Sequence, residues 1–387
     1  MERDRRSLPV SAPHVRARTA AAYAVAGLVH LVTAALFTGS VLLIVVGFRT
    51  VVQPMMGLAL LGLALAMRPR LGRLDPDLPT LREEDAPALF DLLGGVADTC
   101  GVRRPETVQL SPAFSVTVAH YGFPRKRCLV LGLPLWAAYP PQQRVAAVAH
   151  ALAYAAPRNV RSRAFVAMAL ESLTAGSGAM RTNDTAYISW NANALAFGAE
   201  EVAAGARNFN IRGKTSEWVL WIPRTAVAAT ARLLLRLTLP ATRRALLEAD
   251  DAAARTASSE AAAAALNDQD LARPICVEAH RLVIETKTLA PRRSTAAPQP
   301  DFWEKVARHA ARLREQRGSD ATRGPLDASR VARLRTAPQH RAVITPDEPG
   351  LTRIADELRL PEKAVVDMMM RDGVAVPHEP AEPTVSA

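Results

Sequence analysis

The amino-acid sequence predicts an α+β protein, mainly α, in which an N-terminal transmembrane helical hairpin is followed by a domain with a small antiparallel sheet. Residues Ala20 to Phe48 contain no formally charged side chain, and they exceed the roughly 20 apolar residues that cross a hydrocarbon core. Two β-rich runs, Thr107 to Leu110 and Phe114 to Tyr121, lead through a turn to a third run, Arg127 to Leu131. Ala-rich segments with a helical period account for most of the remaining chain.

A second apolar run, Val51 to Met67, follows the first after a short link that contains Arg49. Pro54 suits the first turn of a new helix, so residues 20–67 are predicted to form the hairpin. Arginines before and after the hairpin outnumber the one in the link, and cationic flanks remain on the cytoplasmic side of a bilayer. The sequence therefore predicts a multi-pass protein of the cell membrane whose soluble domain is cytoplasmic.

The composition indicates which partners the protein binds and whether its cysteines form a disulfide or a metal site. The formal net charge of +11 comes almost entirely from arginine. Arginines beside apolar segments attract anionic lipid headgroups, so this charge does not by itself indicate nucleic acid. Cys100, Cys128 and Cys276 form no CxxC pair, and neither a disulfide framework nor a thiolate metal site is predicted. The lipid membrane is the partner that the sequence indicates most directly.

Changes in composition divide the chain after the hairpin. We expect one large domain, then a Pro-rich linker without a packing pattern, then a helical region. Inside the large domain we expect a helix that begins with proline, called the site helix below, and a later Ala-rich helix. Between these helices lies an apolar segment whose arginines make a free lipid-exposed span costly, which favours an amphipathic or membrane-associated helix. The predicted boundaries are 1–19 for a cytoplasmic basic tail, 20–67 for the hairpin, 74–290 for the large domain, 141–157 for its site helix, 216–239 for the amphipathic segment, 241–266 for the later helix, 291–300 for the linker, 301–374 for the C-terminal helical region and 375–387 for a disordered tail.

The site helix carries the most informative spacing. A zinc peptidase of the gluzincin type needs two histidines at i and i+4 on one helix, a glutamate beside the first as general base, and a third ligand from elsewhere. The stretch YGFPRKRCLVLGLPLWAAYPPQQRVAAVAHALAYAAPRN, Tyr121 to Asn159, and the later ALLEADDAAARTAS resemble, in order and context, the HtpX-like and CAAX-protease-like membrane zinc metallopeptidases. In that family the site helix reads HExxH and the later helix contains ExxAD, whose last two positions match Ala249 and Asp250 here. With the hairpin, the resemblance covers Ala20 to Leu266.

Carried over residue by residue, the resemblance implies a zincin-like domain with a degenerate HExxH helix. His150 occupies the first ligand position, but Ala151 stands where the family has its general-base glutamate. Tyr154 replaces the second histidine and Leu246 replaces the third-ligand glutamate. We therefore expect no catalytic residue, no metal site and no cofactor, although the family holds zinc, and His150 is the one ligand position that survives. The resemblance also predicts that His150, Tyr154 and Leu246 converge beneath the strand from Phe114 to Tyr121.

That strand is a candidate peptide-binding edge. In an active relative it would pair with an extended substrate, because an exposed edge offers main-chain hydrogen bonds. Since peptide binding can outlast catalysis, we expect a pseudopeptidase that binds a peptide or a membrane-protein partner, or acts as a scaffold. An ordinary strand covered by a loop is the alternative. The candidate residues are Phe114, Val116, Val118 and His120.

Two other functions stay open at this point. An active zinc-dependent membrane metalloendopeptidase with unconventional ligands would hold stoichiometric zinc and lose activity in His150→Ala. A membrane-tethered regulator would act through LTRIADELRLPEKAVVDMMMRDG, Leu351 to Gly373, which has the spacing of a helix-turn-helix. Two short amphipathic helices match that segment equally well. DNA binding by the regulator would depend on salt.

Overall fold

The computed structural model describes residues 13–46, 52–66, 74–122, 126–156, 214–289, 301–316 and 325–373, together with helical residues within 165–173. Outside these ranges lie the start of the basic tail, the link with Arg49, Asn159, the linker 291–300 and the tail 375–387. The chain forms two compact units, Met1–Gly72 with Pro157–Ala245, and Arg73–Ala156 with Leu246–Ala387.

The described elements are mainly helical, which confirms the predicted α+β, mainly α class. In chain order they are α1 (Pro13–Val46), α2 (Val52–Ala66), β1 (Thr80–Leu81), α3 (Pro87–Thr99), β2 (Thr107–Ser111), β3 (Val116–Tyr121), β4 (Lys126–Gly132), α4 (Leu133–Ala138), α5 (Pro141–Tyr154), α6 (Lys214–Ala257), α7 (Ser259–Asn267), a 3₁₀ turn (Asp268–Leu271), α8 (Ala272–Leu289), α9 (Phe302–Gln316), α10 (Pro325–Thr336) and α11 (Glu348–Asp372).

Helices α1 and α2 pack against each other in the first unit. A Cβ at Gly57 of α2 would lie 2.8 Å from Cγ1 of Ile44 and 3.0 Å from the carbonyl oxygen of Ser40. The absence of a side chain therefore permits this close approach, as small residues do where helices pack in membranes.

Membrane association is indicated by α1. Among the helices that the structure describes, one is long and apolar enough to cross a bilayer, namely Ala17–Val46 within α1, with a mean hydropathy of 2.3. The apolar part of α2, Val52–Gly62, is shorter. A single span of this kind fits a membrane protein, and the two-helix transmembrane hairpin stays a prediction.

Helix α1 also packs on the other helices of the first unit. Ala26 is buried in one cluster with Ala169 and with Leu234 of α6. The imidazole Nε2 of His30 lies 3.2 Å from the carbonyl oxygen of Phe165, and the two rings are 4.7 Å apart between centroids. The contact with a backbone carbonyl of a neighbouring helix therefore explains how this apolar helix accommodates His30, and no functional role is needed.

The sheet belongs to the second unit and has the strand order β1-β2-β4-β3. β3 and β4 are antiparallel, with Val118 opposite Leu129, whereas β2 and β4 are parallel, with Gln109 opposite Val130. The prediction of an antiparallel sheet is therefore wrong, because the sheet is mixed. In this order β2 and β4 are the inner strands, and β1 and β3 lie at the edges. β2 is buried along its whole length, as is typical of a strand with both faces covered.

Helix α6 corrects two predicted boundaries. It runs without interruption through the segment predicted as 216–239, and the helix predicted as 241–266 is broken after Ala257. At the break Ser258 adopts φ 114° and ψ 154°, a conformation that residues other than glycine rarely adopt. The Ser258 Oγ accepts a hydrogen bond from the Ala261 amide and caps α7. The serine's preference for a capping role explains the break inside an Ala-rich sequence.

The C-terminal helices pack into the same core as the sheet. Val306 of α9, Leu334 of α10 and Leu358 of α11 are buried in one cluster with Leu131 of β4 and Leu152 of α5. Residues 301–316 and 325–373 are thus part of the second compact unit.

The segment predicted as a helix-turn-helix forms one continuous helix, α11, with Pro361 inside it. Leu358 and Val365 on either side of this proline are both buried, so packing outweighs the lost backbone hydrogen bond. The helix-turn-helix prediction is wrong, and the alternative of two short helices is wrong for the same reason.

The start of α3 is capped by α11. The Ala88 and Leu89 amides donate to the two carboxylate oxygens of Glu357 at 2.8 and 3.0 Å, while the N-cap residue Ala86 makes no side-chain hydrogen bond. A carboxylate at a helix N-terminus satisfies free amides and complements the helix dipole. The last helix therefore fixes the first helix of this unit.

Candidate functional site

The predicted site helix is α5, which ends at Tyr154 rather than at residue 157. It contacts β3, as expected for the strand and helix of one site. Val145, Val148 and Leu152 face the core, and Ala151 is buried as well. The imidazole of His150 is partly exposed.

A buried carboxylate holds His150. The imidazole Nδ1 lies 3.1 Å from Oδ1 of Asp250 on α6, and Asp250 is only 3% exposed. Arg330 of α10 donates its Nη2 to the same oxygen at 2.8 Å and its Nε to Oδ2 at 2.9 Å. Two-point contact between guanidinium and carboxylate fixes both groups in one geometry. We refer to these three side chains as the His150–Asp250–Arg330 network.

The electrostatics of the network favour an ionised Asp250. Burial alone would raise the pKa of this carboxyl group, but hydrogen bonds from His150 and Arg330 outweigh burial and lower the pKa. Arg330 is 6% exposed, so the two opposite charges compensate each other out of contact with water. The Nδ1–H of His150 donates to this carboxylate, and such a contact sets which ring nitrogen carries the proton.

A second ion pair fastens α10 to α6 one residue further along. Arg333 donates to Oδ1 of Asp251 at 2.8 Å and to the carbonyl oxygen of Leu247 at 2.8 Å. The neighbouring carboxylates Asp250 and Asp251 are thus each matched by an arginine from the same helix. Together these contacts hold the segment that carries Asp250 in a defined position.

Some of the predicted site residues come together. The rings of His150 and Tyr154 are nearly parallel, with centroids 6.3 Å apart, as the i, i+4 spacing on a helix provides. Asp250, one helical turn after Leu246, meets His150, so the site helix and the later helix do contribute to one cluster. Leu246 is half-buried, and its convergence with the two rings stays a prediction.

Arg330 is the member of the network that sequence reasoning missed. It lies 80 positions after Asp250, on a helix whose arginines suggest a solvent-facing surface. No local pattern identifies it, because the burial of Asp250 and its contact with His150 are established only by the fold. In the folded protein, a buried aspartate beside one histidine requires a cation or several donors to remain ionised.

The zinc that the family resemblance implies does not fit these residues. Structural and catalytic zinc sites take at least three protein ligands, but Ala151 and Leu246 have no donor atom. Within the described ranges between residues 13 and 373, no group of three or more His, Cys, Asp and Glu side chains could hold a metal ion. Arg330 adds a fixed positive charge beside His150, which opposes a second cation there.

The predicted peptide-binding strand, β3, lies at the edge of the sheet. The Ser115 carbonyl oxygen accepts from the Gly132 amide at 2.8 Å, and opposite pairs alternate between bonded and non-bonded along an antiparallel ladder. Counting from this bonded pair, the backbone amides and carbonyls of Val116, Val118 and His120 point away from β4. Three of the four predicted residues therefore present main-chain groups at the outer edge.

Apolar side chains along this edge pack inside the protein, in contrast to the outward main-chain groups. Val118 is buried in the core of the second unit, and alternate residues of a strand share a face. Phe114, the fourth predicted residue, precedes β3, and its ring packs edge-on against Tyr139 at 5.8 Å between centroids. The edge therefore offers hydrogen bonds from the main chain, while these side chains support the strand.

Comparison with known proteins assigns no family to this chain, because no family model, no curated protein and no solved structure matches it. Two arrangements in the second unit define the candidate site. One is the His150–Asp250–Arg330 network. The other is the outer edge of β3, which pairs with no second strand in the part of the chain that the structure describes.

Proposed function

We propose that the protein is a membrane-anchored, zincin-like pseudopeptidase that binds extended peptides without cleaving them. The observation that carries this proposal is the outer edge of β3, where Val116 and Val118 direct main-chain donors and acceptors away from β4. An extended peptide adds to such an edge as a further strand, and its main-chain hydrogen bonds supply affinity. The contact between β3 and α5 would place a bound peptide close to His150.

The His150–Asp250–Arg330 network supports a binding role over a hydrolytic one. Peptide hydrolysis by a zincin needs an activated water and a general base within reach of it. Ala151 occupies the position of that base, and the Nδ1 of His150 is held by Asp250. The network instead joins α5, α6 and α10, which stabilises the platform on which β3 rests.

We further propose that α1 and α2 form a transmembrane hairpin that holds this module at the cytoplasmic face of a cell membrane. The length and hydropathy of α1 support a span. Leu28 and Val45 of α1 are 61% and 68% exposed, which favours contact with lipid over contact with water. The arginines that flank the hairpin support the orientation. The bound peptide would then belong to a segment of a membrane-protein partner.

Replacing Val116 by proline tests the binding edge. The change removes one outward amide and leaves the pairing with β4, since edge strands tolerate proline where the amide faces outward. We expect Val116→Pro to weaken binding of a fluorescently labelled pool of proline-free apolar peptides about tenfold. Fluorescence anisotropy with the full-length protein in detergent measures the change.

Val116→Ala is the matched control, because it trims the same side chain and keeps the amide. This control should bind the peptide pool nearly as well as the wild-type protein. Equal binding by Val116→Pro and Val116→Ala would remove β3 from the proposal. A wild-type protein that binds none of the pool would overturn the proposed function itself.

A further inference from the structure

A cavity of about 550 Å³ lies in the second unit, and the residues that line it come from elements other than β3. The first turn of α5 and one face of α7 form part of its wall, and α9 and the end of α10 complete it. Ala263 and Ala264 of α7 line the cavity and leave it open because their side chains are short. Cavities of this volume hold small ligands, and a few polar groups within them fix the ligand's orientation.

Gln143 supplies the first indication of a ligand. Its side chain lines the cavity and is 9% exposed. Its amide oxygen is buried and accepts no hydrogen bond from any residue in the ranges that the structure describes. A buried acceptor without a donor is unfavourable, so an occupant of the cavity that donates to Gln143 would be stabilised.

Charged groups of both signs line the same cavity. Glu260 and Arg335 contribute their side chains to it, and neither forms an ion pair with another residue of the described chain. Arg314 is fixed in place, with its Nε 2.5 Å from Oδ2 of Asp268 and its Nη2 2.6 Å from the carbonyl oxygen of Ala138. The cavity thus combines one unpaired carboxylate with one unpaired guanidinium and one preorganised guanidinium.

The backbone beside the cavity is strained. Ser258 has φ 114°, and this turn sets the direction in which Ser259 and Glu260 enter α7. Ser259 is held further by His340, whose carbonyl oxygen accepts from the Ser259 amide at 3.2 Å and whose amide donates to the Ser259 Oγ at 3.0 Å. Strained backbone that the surrounding contacts hold in place is concentrated at ligand sites.

We propose that this cavity binds a small zwitterion of the α-amino-acid type, with one ammonium group and one carboxylate a few bonds apart. The ammonium group donates to the Gln143 amide oxygen and to the Glu260 carboxylate. The carboxylate accepts from Arg335 and from Nη1 of Arg314, whose other two nitrogens are already engaged. A ligand with a single charge would leave either Glu260 or Arg335 without a partner. The proposal is independent of peptide binding at β3, because different elements form the two sites.

Isothermal titration calorimetry of the full-length protein in detergent tests the proposal. The probes are the common L-amino acids, each titrated singly, and glycylglycine, which separates a free amino acid from a short peptide with the same two charged ends. We expect at least one of these probes to bind with one site per chain. Its N-acetyl and carboxamide derivatives, which each lack one charge, should not bind.

Variants of two exposed residues then locate the site. Glu260→Gln and Arg335→Gln should each weaken binding of that probe about tenfold, since each removes a charge-assisted contact. Arg341→Gln, at an exposed arginine outside the cavity, should leave the affinity unchanged. Failure of every probe to bind would overturn the proposal, and so would binding that neither cavity variant weakens.

Discussion

Replacing Arg330 by methionine is expected to lower the free energy of unfolding by about 3–5 kcal/mol. The change removes the two hydrogen bonds and the compensating charge that Asp250 receives from α10. The carboxylate would then remain 3% exposed with the His150 imidazole as its remaining partner in the network. An unpaired buried charge is among the most destabilising results of a single substitution. Urea unfolding of the detergent-solubilised protein, followed by circular dichroism, measures the loss.

The double variant Arg330→Met with Asp250→Asn is the control for this prediction. It removes both charges and retains an amide oxygen that can accept from His150. Because removal of a whole buried ion pair is often close to neutral, most of the lost stability should return. A single Arg330→Met variant that loses less than about 1 kcal/mol would show that solvent reaches Asp250 and that the network contributes little.

The pH dependence of stability follows from the same carboxylate. The pKa of Asp250 is lowered in the folded protein, so its contribution is fully present above the unfolded value of about 3.9 and is lost as the pH falls through the folded pKa. In Arg330→Met, the guanidinium no longer opposes the effect of burial, so we expect the pKa of Asp250 to rise. Protonation of the Asp250 carboxyl group then removes the unpaired buried charge that destabilises the variant. The difference in unfolding free energy between the wild type and the variant should therefore narrow as the pH falls, and a difference that widens would contradict this reasoning.

Gly132→Ala is the second substitution with a large expected effect, a loss of about 3 kcal/mol or more. A Cβ at this position would lie 1.9 Å from the carbonyl oxygen of Ala113 and 2.6 Å from that of Ser115. Both atoms belong to the backbone of the connection between β2 and β3, so no side-chain rotation relieves the clash. The hydrogen bond from the Gly132 amide to Ser115 would be strained by the same movement, and the start of β3 would shift.

Gly95→Ala is the matched control for Gly132→Ala. Gly95 lies in α3, and the nearest atom to its added Cβ is Cδ1 of Ile344 at 3.7 Å, an ordinary van der Waals contact. Replacing glycine by alanine inside a helix should raise the free energy of unfolding by about 0.5–1 kcal/mol. Similar effects from the two substitutions in the same urea unfolding experiment would show that the close approach at Gly132 is not required.

Local patterns in the sequence predicted the strands and the site helix, and they failed where distant segments decide the structure. The parallel pairing of β2 with β4 accompanies burial of β2 on both faces. The sequence of β2, TVQLS, contains polar residues and does not predict that burial. The broken later helix depends on the capping role of Ser258. The cap of α3 comes from Glu357, 269 positions from Ala88. No local periodicity contains that information.

The candidate site was predictable to a similar extent. His150 and Asp250 could be named because motif spacing singled out their positions on two helices. Arg330 could not, since its partner is determined by how α10 packs on α6. The cavity lined by Gln143, Glu260 and Arg335 was missed for the same reason, because no short stretch of chain brings these residues together.

The zinc content of the detergent-purified protein, determined by elemental analysis, most directly tests whether an ionic network stands in place of a metal centre. We expect the wild-type protein to contain no stoichiometric zinc, because Ala151 and Leu246 supply no donor atom beside His150 and Arg330 already neutralises Asp250. The result that would contradict this is one zinc per chain in the wild-type protein that is lost in His150→Ala. Such a protein would be an active metallopeptidase candidate with unconventional ligands.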